Sequence, residues 1–183
     1  SVYIRELARE LGRRGHRIDI YTRLHNGEYR PVIHLFEKVR LIHLGIPNGG
    51  NLSKLALYPY LSKFFRALDD FRKSENLNYD LIHSHYWLSG RIGNWAQNLW
   101  NRPHVATFHT LGEIKKQTGV GAPEPEFRLA AEKEIVQTCH RILAPTKRER
   151  DSLIRLYGAP AEKIGVVPCG VNLDIFYPEP KTA

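Results

Sequence analysis

The 183-residue chain contains no methionine and only two cysteines, Cys139 and Cys169. Two cysteines cannot build a disulfide framework, and the expected compartment is a reducing, cytoplasmic one. No window approaches the roughly 18 consecutive apolar residues of a membrane span. Internal repeats, low-complexity tracts and a secretory leader pattern are likewise missing. Since the sequence opens at Ser1 without methionine, the expectation is that the natural N-terminus lies further upstream. Acidic residues are in deficit: 19 Asp+Glu against 27 Lys+Arg leave a net charge of +8. Such a balance suits an anionic partner, but the cations are dispersed. The densest group, Lys147-Arg148-Glu149-Arg150, is interrupted by an acid. Most of the excess therefore reads as solvated surface, and nucleic acid is not an expected partner.

What is present is ordinary for a globular domain: 42% hydrophobic and 25% charged residues, enough for a full core. Apolar residues Ile4, Leu7, Ala8 and Leu11 recur at helical spacing, with Gly15 as the stop. Residues 16–22 alternate as a strand. Further strands are expected at 38–44, 79–83, 104–109, 141–144 and 163–167, and helices at 55–75, 88–99, 126–140 and 147–157. Three stretches read as loops: 23–36, with Asn26-Gly27 and Pro31; 45–53, with Pro47 and Gly49-Gly50; and 110–125, with Gly119, Gly121, Pro123 and Pro125. Alternating strands and helices imply an α/β, doubly wound parallel sheet. A helix that precedes its strand implies a first strand missing ahead of it. Residues 1–167 form the expected domain, and the proline-rich 168–183 a linker.

In such sheets ligands collect at the carboxyl ends of the strands. That edge gathers 48–54, 84–90 and 109–112, with Arg128 delivered by the next helix. Lys54, Tyr86, Thr110 and Arg128 are a cation, a phenol, an alcohol and a guanidinium, a set able to hold a phosphate dianion. Spacing alone favours the blander reading of solvated cations, a packed tyrosine and a capping threonine. His83 and His85 share one strand face. With no carboxylate or cysteine beside them and His109, hydrogen bonding at the sheet edge is the simpler reading, and no metal site is expected. His109 closes a β-rich run before a glycine-bearing loop and is the better functional candidate. Thr146 with Glu149 reads as a capping box. Cys169 lacks the surroundings that activate a thiol.

Several segments, in this order and spacing, resemble the retaining nucleotide-sugar glycosyltransferases of GT-B fold, the family that includes sucrose-phosphate synthases and the glycosyltransferases of mycothiol synthesis. They are Val2 to Leu11, Gly15 to Ile20, Tyr79 to Gly90, Thr107 to Gly112, Arg128 with Glu132 and Ile135, and Lys163 to Asp174. The resemblance implies the N-terminal, Rossmann-like acceptor-binding half of such an enzyme. It implies that Lys54, Tyr86, Thr110 and Arg128 hold the phosphate of a phosphorylated cyclitol or sugar, and that His109 lies beside the transferred sugar. It implies no cofactor beyond a nucleotide-sugar co-substrate, a UDP-sugar, bound by a second domain after residue 168. Transfer would proceed with retention, the leaving phosphate helping to take the acceptor proton. The glycine-rich donor loop and the second domain are not in this sequence, so the fragment alone is expected to be inactive. A homodimer is compatible with the sequence. Rival readings are a Rossmann-like module for phosphorylated metabolites or nucleic acid, and a related nucleotide-sugar epimerase or phosphorylase.

Overall fold

The computed structural model describes residues 1–24, 31–45, 52–119, 123–173 and 175–177. The expected turn at Asn26-Gly27, the Pro47 to Asn51 loop, Gly121, Asp174 and the end of the linker lie outside them. The α/β class and a parallel sheet are as expected, but among the described residues the strands form two sheets.

Helix α1 (Val2–Arg13) carries its apolar stripe inward, ends at Arg14, and is followed by Gly15 at φ +99°, a conformation glycine adopts without steric cost. Strand β1 (Ile18–Arg23) pairs in parallel with β3 (Val39–Leu44). On the other side of β3 lies β2 (Val32–Phe36), antiparallel, joined through Glu37-Lys38. The expected loop over 23–36 is therefore corrected in its second half. Pro31 lies just before the strand, where no ladder N–H is needed, and its carbonyl accepts the His43 amide at 2.8 Å. A proline read as a breaker is instead the first contact of an edge strand.

Residues 55–60 form a 3₁₀ turn containing Pro59, and α2 (Leu61–Ser74) follows. One helix was expected over 55–75; the missing proline N–H splits it. The second sheet runs β4 (Ile82–His85), β5 (His104–Thr107), β6 (Arg141–Ala144) and β7 (Ile164–Val166), all parallel and in chain order. Helices α3 (Trp87–Trp100), α5 (Glu126–Thr138) and α6 (Lys147–Tyr157) connect them. α6 has the expected limits: Thr146 Oγ1 accepts the Glu149 amide, and Gly158 closes the helix at φ +65°. A short helix, α4 (Gly112–Thr118), occupies part of the expected 110–125 loop. Glu113, Lys115, Lys116 and Gln117 favour a helix locally, and Gly119 acts as its left-handed C-cap at φ +61°.

Two apolar cores result. The larger lies under the four-stranded sheet around Trp87, Phe108, Ile135, Ile142 and Leu153. The smaller joins Ile42, Leu44 and Leu68 to Phe64, Phe71 and Trp100. Each large apolar side chain buried this way is worth about 1.5–3 kcal/mol. The larger core fixes the site because α3 sits tightly on it: a Cβ on Gly90 would overlap the Ile135 side chain, and one on Gly93 the buried His104 ring. The smaller sheet is tied across by Tyr79, whose hydroxyl donates to Asp19 at 2.6 Å, while Arg40 holds the same carboxylate with two hydrogen bonds of 2.8 and 2.7 Å.

Candidate functional site

Strand β4 ends at His85, two residues further along than the 79–83 expectation, because Tyr79 is drawn out to Asp19 before the strand begins. The chain then turns sharply. Tyr86 donates its amide to the Thr107 carbonyl at 2.8 Å, which locks the end of β4 to the end of β5. Its backbone stands at φ 77°, ψ 156°, a region almost confined to glycine. His109, just past β5, has φ 62°. The other non-glycine residues at positive φ among those described are Asn76 and Asn101, of a type that tolerates it. Histidine is tolerated there too, so the costly conformation is that of Tyr86, at the same sheet edge as His109.

Lys54, Tyr86, Thr110 and Arg128 converge around the Tyr86 ring. Lys54 Nζ lies 5.6 Å from its centroid and the Arg128 guanidinium carbon 5.2 Å, both over the ring. Arg128 Nη2 donates to the Thr110 hydroxyl at 3.2 Å and to its carbonyl at 3.3 Å. Lys54 and Thr110 are exposed, whereas Arg128 is 1% exposed. Its charge is braced from below. Nε donates to Glu132 at 2.8 Å and Nη1 to Glu124 at 2.8 Å. Burial opposes the Arg128 charge, but the two carboxylates hold its pKa above the ordinary value. Glu132, itself fully buried, also accepts the Gly112 amide at 2.9 Å and the Tyr157 hydroxyl. Burial likewise disfavours the Glu124 carboxylate, yet Lys115 at 3.2 Å and Arg128 hold its pKa low.

At the same sheet edge lie three imidazoles. His83 Nε2 is 3.0 Å from the Thr107 hydroxyl, and the His83 and His85 ring centroids are 4.2 Å apart. His85 Nδ1 lies 3.1 Å from His109 Nε2. Tyr3, in the first turn of α1, presents its ring edge-on to His85 and His109 at 5.8 and 5.1 Å. Burial pushes the pKa of His83 down to about 4 and that of His85 to about 3, neighbouring imidazole charge adding to each, and burial lowers His109 as well. His83 and His85 are thus held uncharged at neutral pH, and His109 is shifted in the same direction. Among the described residues no group of three or more His, Cys, Asp or Glu has the arrangement to hold a metal ion.

All five residues picked from sequence thus lie at one edge. Sequence reasoning missed the Glu124 and Tyr157 contributions, and the enclosure by Tyr3. Glu124 and Glu132 stand four residues either side of Arg128, and that helical spacing was the available signal. Cys169 is exposed, Cys139 is buried, and both are free thiols.

Residues 1–175 match the model of Glycosyltransferase Family 4. The chain belongs to this family. It is 38% identical to a protein named D-inositol 3-phosphate glycosyltransferase from Kineococcus radiotolerans, over 100% of this chain and 43% of that protein. A similarly named protein from Corynebacterium diphtheriae is 36% identical, over 97% of this chain and 42% of its own length. Among solved structures, sucrose-phosphate synthase from Thermosynechococcus elongatus superposes with a TM-score of 0.87 at 29% identity, over 97% of this chain and 44% of that one. The chain of this family member therefore spans less than half the length of these relatives. No helix among the described residues is long and apolar enough to cross a membrane.

Proposed function

We propose that this family 4 chain is the acceptor-binding part of a retaining glycosyltransferase that moves a sugar from a nucleotide-sugar, a UDP-sugar, to a phosphorylated cyclitol or sugar. The observation that carries the reading is the placement of Lys54 and Arg128 over the Tyr86 ring, with Thr110 hydrogen-bonded to Arg128 and His109 next to Thr110 in the chain. The names of the relatives, an inositol phosphate enzyme and a sucrose-phosphate enzyme, support the same acceptor class.

In this reading Lys54 supplies the accessible charge for the acceptor phosphate, and Arg128, buried and held by its two carboxylates, fixes Thr110 and adds its charge from beneath. Tyr86 and Thr110 set the position of the anion. The acceptor hydroxyl is thereby held close to the donor anomeric carbon, which lowers the entropic part of the barrier. His109 hydrogen-bonds the donor sugar. The unit spans residues 1–167, those from 168 lead toward a nucleotide-binding half, and a strand ahead of α1 completes one sheet between the outer edges of β1 and β4. The leaving diphosphate is stabilised by that other half, so the present chain alone should not turn over. The test is product formation from UDP-sugars and phosphorylated polyols by this chain and by the longer protein. The expected result is product from the longer protein only, with the anomeric configuration retained. Product from the present chain, or inversion, contradicts the proposal.

A further inference from the structure

His85 lies outside the phosphate-facing group, yet its contacts bear directly on His109. An uncharged imidazole carries one N–H and one lone pair. A hydrogen bond between two uncharged imidazoles therefore couples their tautomers. If His109 Nε2–H donates to His85 Nδ1, both rings carry their proton on Nε2, the form a neutral histidine side chain ordinarily prefers. The opposite direction forces both rings into the Nδ1–H form. The 3.1 Å contact joins these two nitrogens, and the ring planes are only 26° apart. The other surroundings are matched to this arrangement. Tyr3 closes on both rings from α1, the His83 ring lies against His85, and His109, at positive φ, is exposed.

We propose that His85 is a positioning residue that accepts the His109 Nε2 proton, fixing His109 with the Nδ1 lone pair turned outward as a hydrogen-bond acceptor for a sugar hydroxyl. Which nitrogen of a histidine acts on a ligand is set by the hydrogen bond its other nitrogen makes. The His109 ring is bonded to His85 through Nε2, which leaves Nδ1 as its second hydrogen-bonding atom. The site thus selects a ligand that donates a hydroxyl proton at this point and disfavours one that offers only an acceptor. The significance for sugar transfer rests on the function proposed above, but the pairing itself is measurable without it.

The test is a long-range 1H–15N spectrum of the histidine-labelled chain at neutral pH, with His109 assigned by its loss in His109→Asn. In the unsubstituted chain His109 is expected with a protonated Nε2 and a bare Nδ1. His85→Ala should raise the Nδ1–H to Nε2–H ratio of His109 about fivefold, the worth of one neutral hydrogen bond. His85→Asn places an amide oxygen near the former Nδ1 and should restore the original ratio, which a merely space-filling role would not do. A His109 carrying its proton on Nδ1 in the unsubstituted chain overturns the proposal, as does a ratio indifferent to His85→Ala. Should His85→Ala fail to fold, the unsubstituted chain and His85→Asn decide the matter. A normal imidazole pair in a chain that ignores phosphorylated polyols would leave this inference standing and remove the acceptor reading.

Discussion

Two cations over the Tyr86 ring look alike in sequence and are opposite in energetics. Arg128 is buried at the hub of Glu124, Glu132 and Thr110, while Lys54 is exposed over the same aromatic ring. Removing Arg128 strands the fully buried Glu132. Arg128→Ala should therefore cost about 3–5 kcal/mol of stability, and Lys54→Ala less than about 0.5 kcal/mol. Urea unfolding of both variants checks this. Weak ligand binding by Arg128→Ala would be ambiguous on its own; Lys54→Ala is the clean probe of phosphate contact. Tyr86, His109, Thr110 and Arg128 could be picked out because the family segments carry them in order, whereas Lys54 lies outside those segments and was picked from its place after a strand. Their division of labour was not legible, since burial and partners four residues away emerge only once α5 packs.

At the scale of elements, the helices and strands with strong periodicity were readable, and the misreadings have physical causes. Strand β2 was concealed by Pro31, which ends up outside the ladder and contributes only its carbonyl. Helix α4 was concealed by the glycines and prolines around it, though its own residues favour a helix. That short helix matters to the site. A Cβ on Gly112 would stand 2.6 Å from Leu129 Cδ2, 3.0 Å from Glu132 Oε2 and 3.2 Å from Arg128 Nε. Gly112→Ala should displace the carboxylate brace, destabilise the chain by about 1–3 kcal/mol, and weaken phosphate binding without touching a ligand. Thermal unfolding paired with a phosphate titration would separate the two effects.

For the whole molecule, the informative quantity is the response to acid. Burial first, then neighbouring imidazole charge, pushes His83 and His104 to about 4 and His85 to about 3. Unfolded, each returns to about 6.5. A lowered histidine pKa means the unfolded chain binds more protons between these values. Stability should be full above about pH 6.5 and fall as pH drops toward 4, with up to three protons taken up on unfolding. Burial raises the Glu149 carboxyl pKa and opposes this trend. Urea midpoints across that range should show the decline, and His104→Asn should reduce its slope; a flat profile would mean the imidazoles are solvated. The α/β class was legible at this scale from alternating elements alone. Division into two sheets was not, because it depends on which strand edges meet.

The claim on which the account turns is that the side chains gathered at Tyr86 hold an anionic polyol. Its most direct test is calorimetric titration of the chain with myo-inositol phosphate and with unphosphorylated inositol, repeated on Lys54→Ala. A charge-assisted contact of about 1.5–3 kcal/mol predicts at least tenfold preference for the phosphorylated ligand and loss of most of that preference in Lys54→Ala. Equal affinity for the two ligands, or a preference untouched by the substitution, would contradict it.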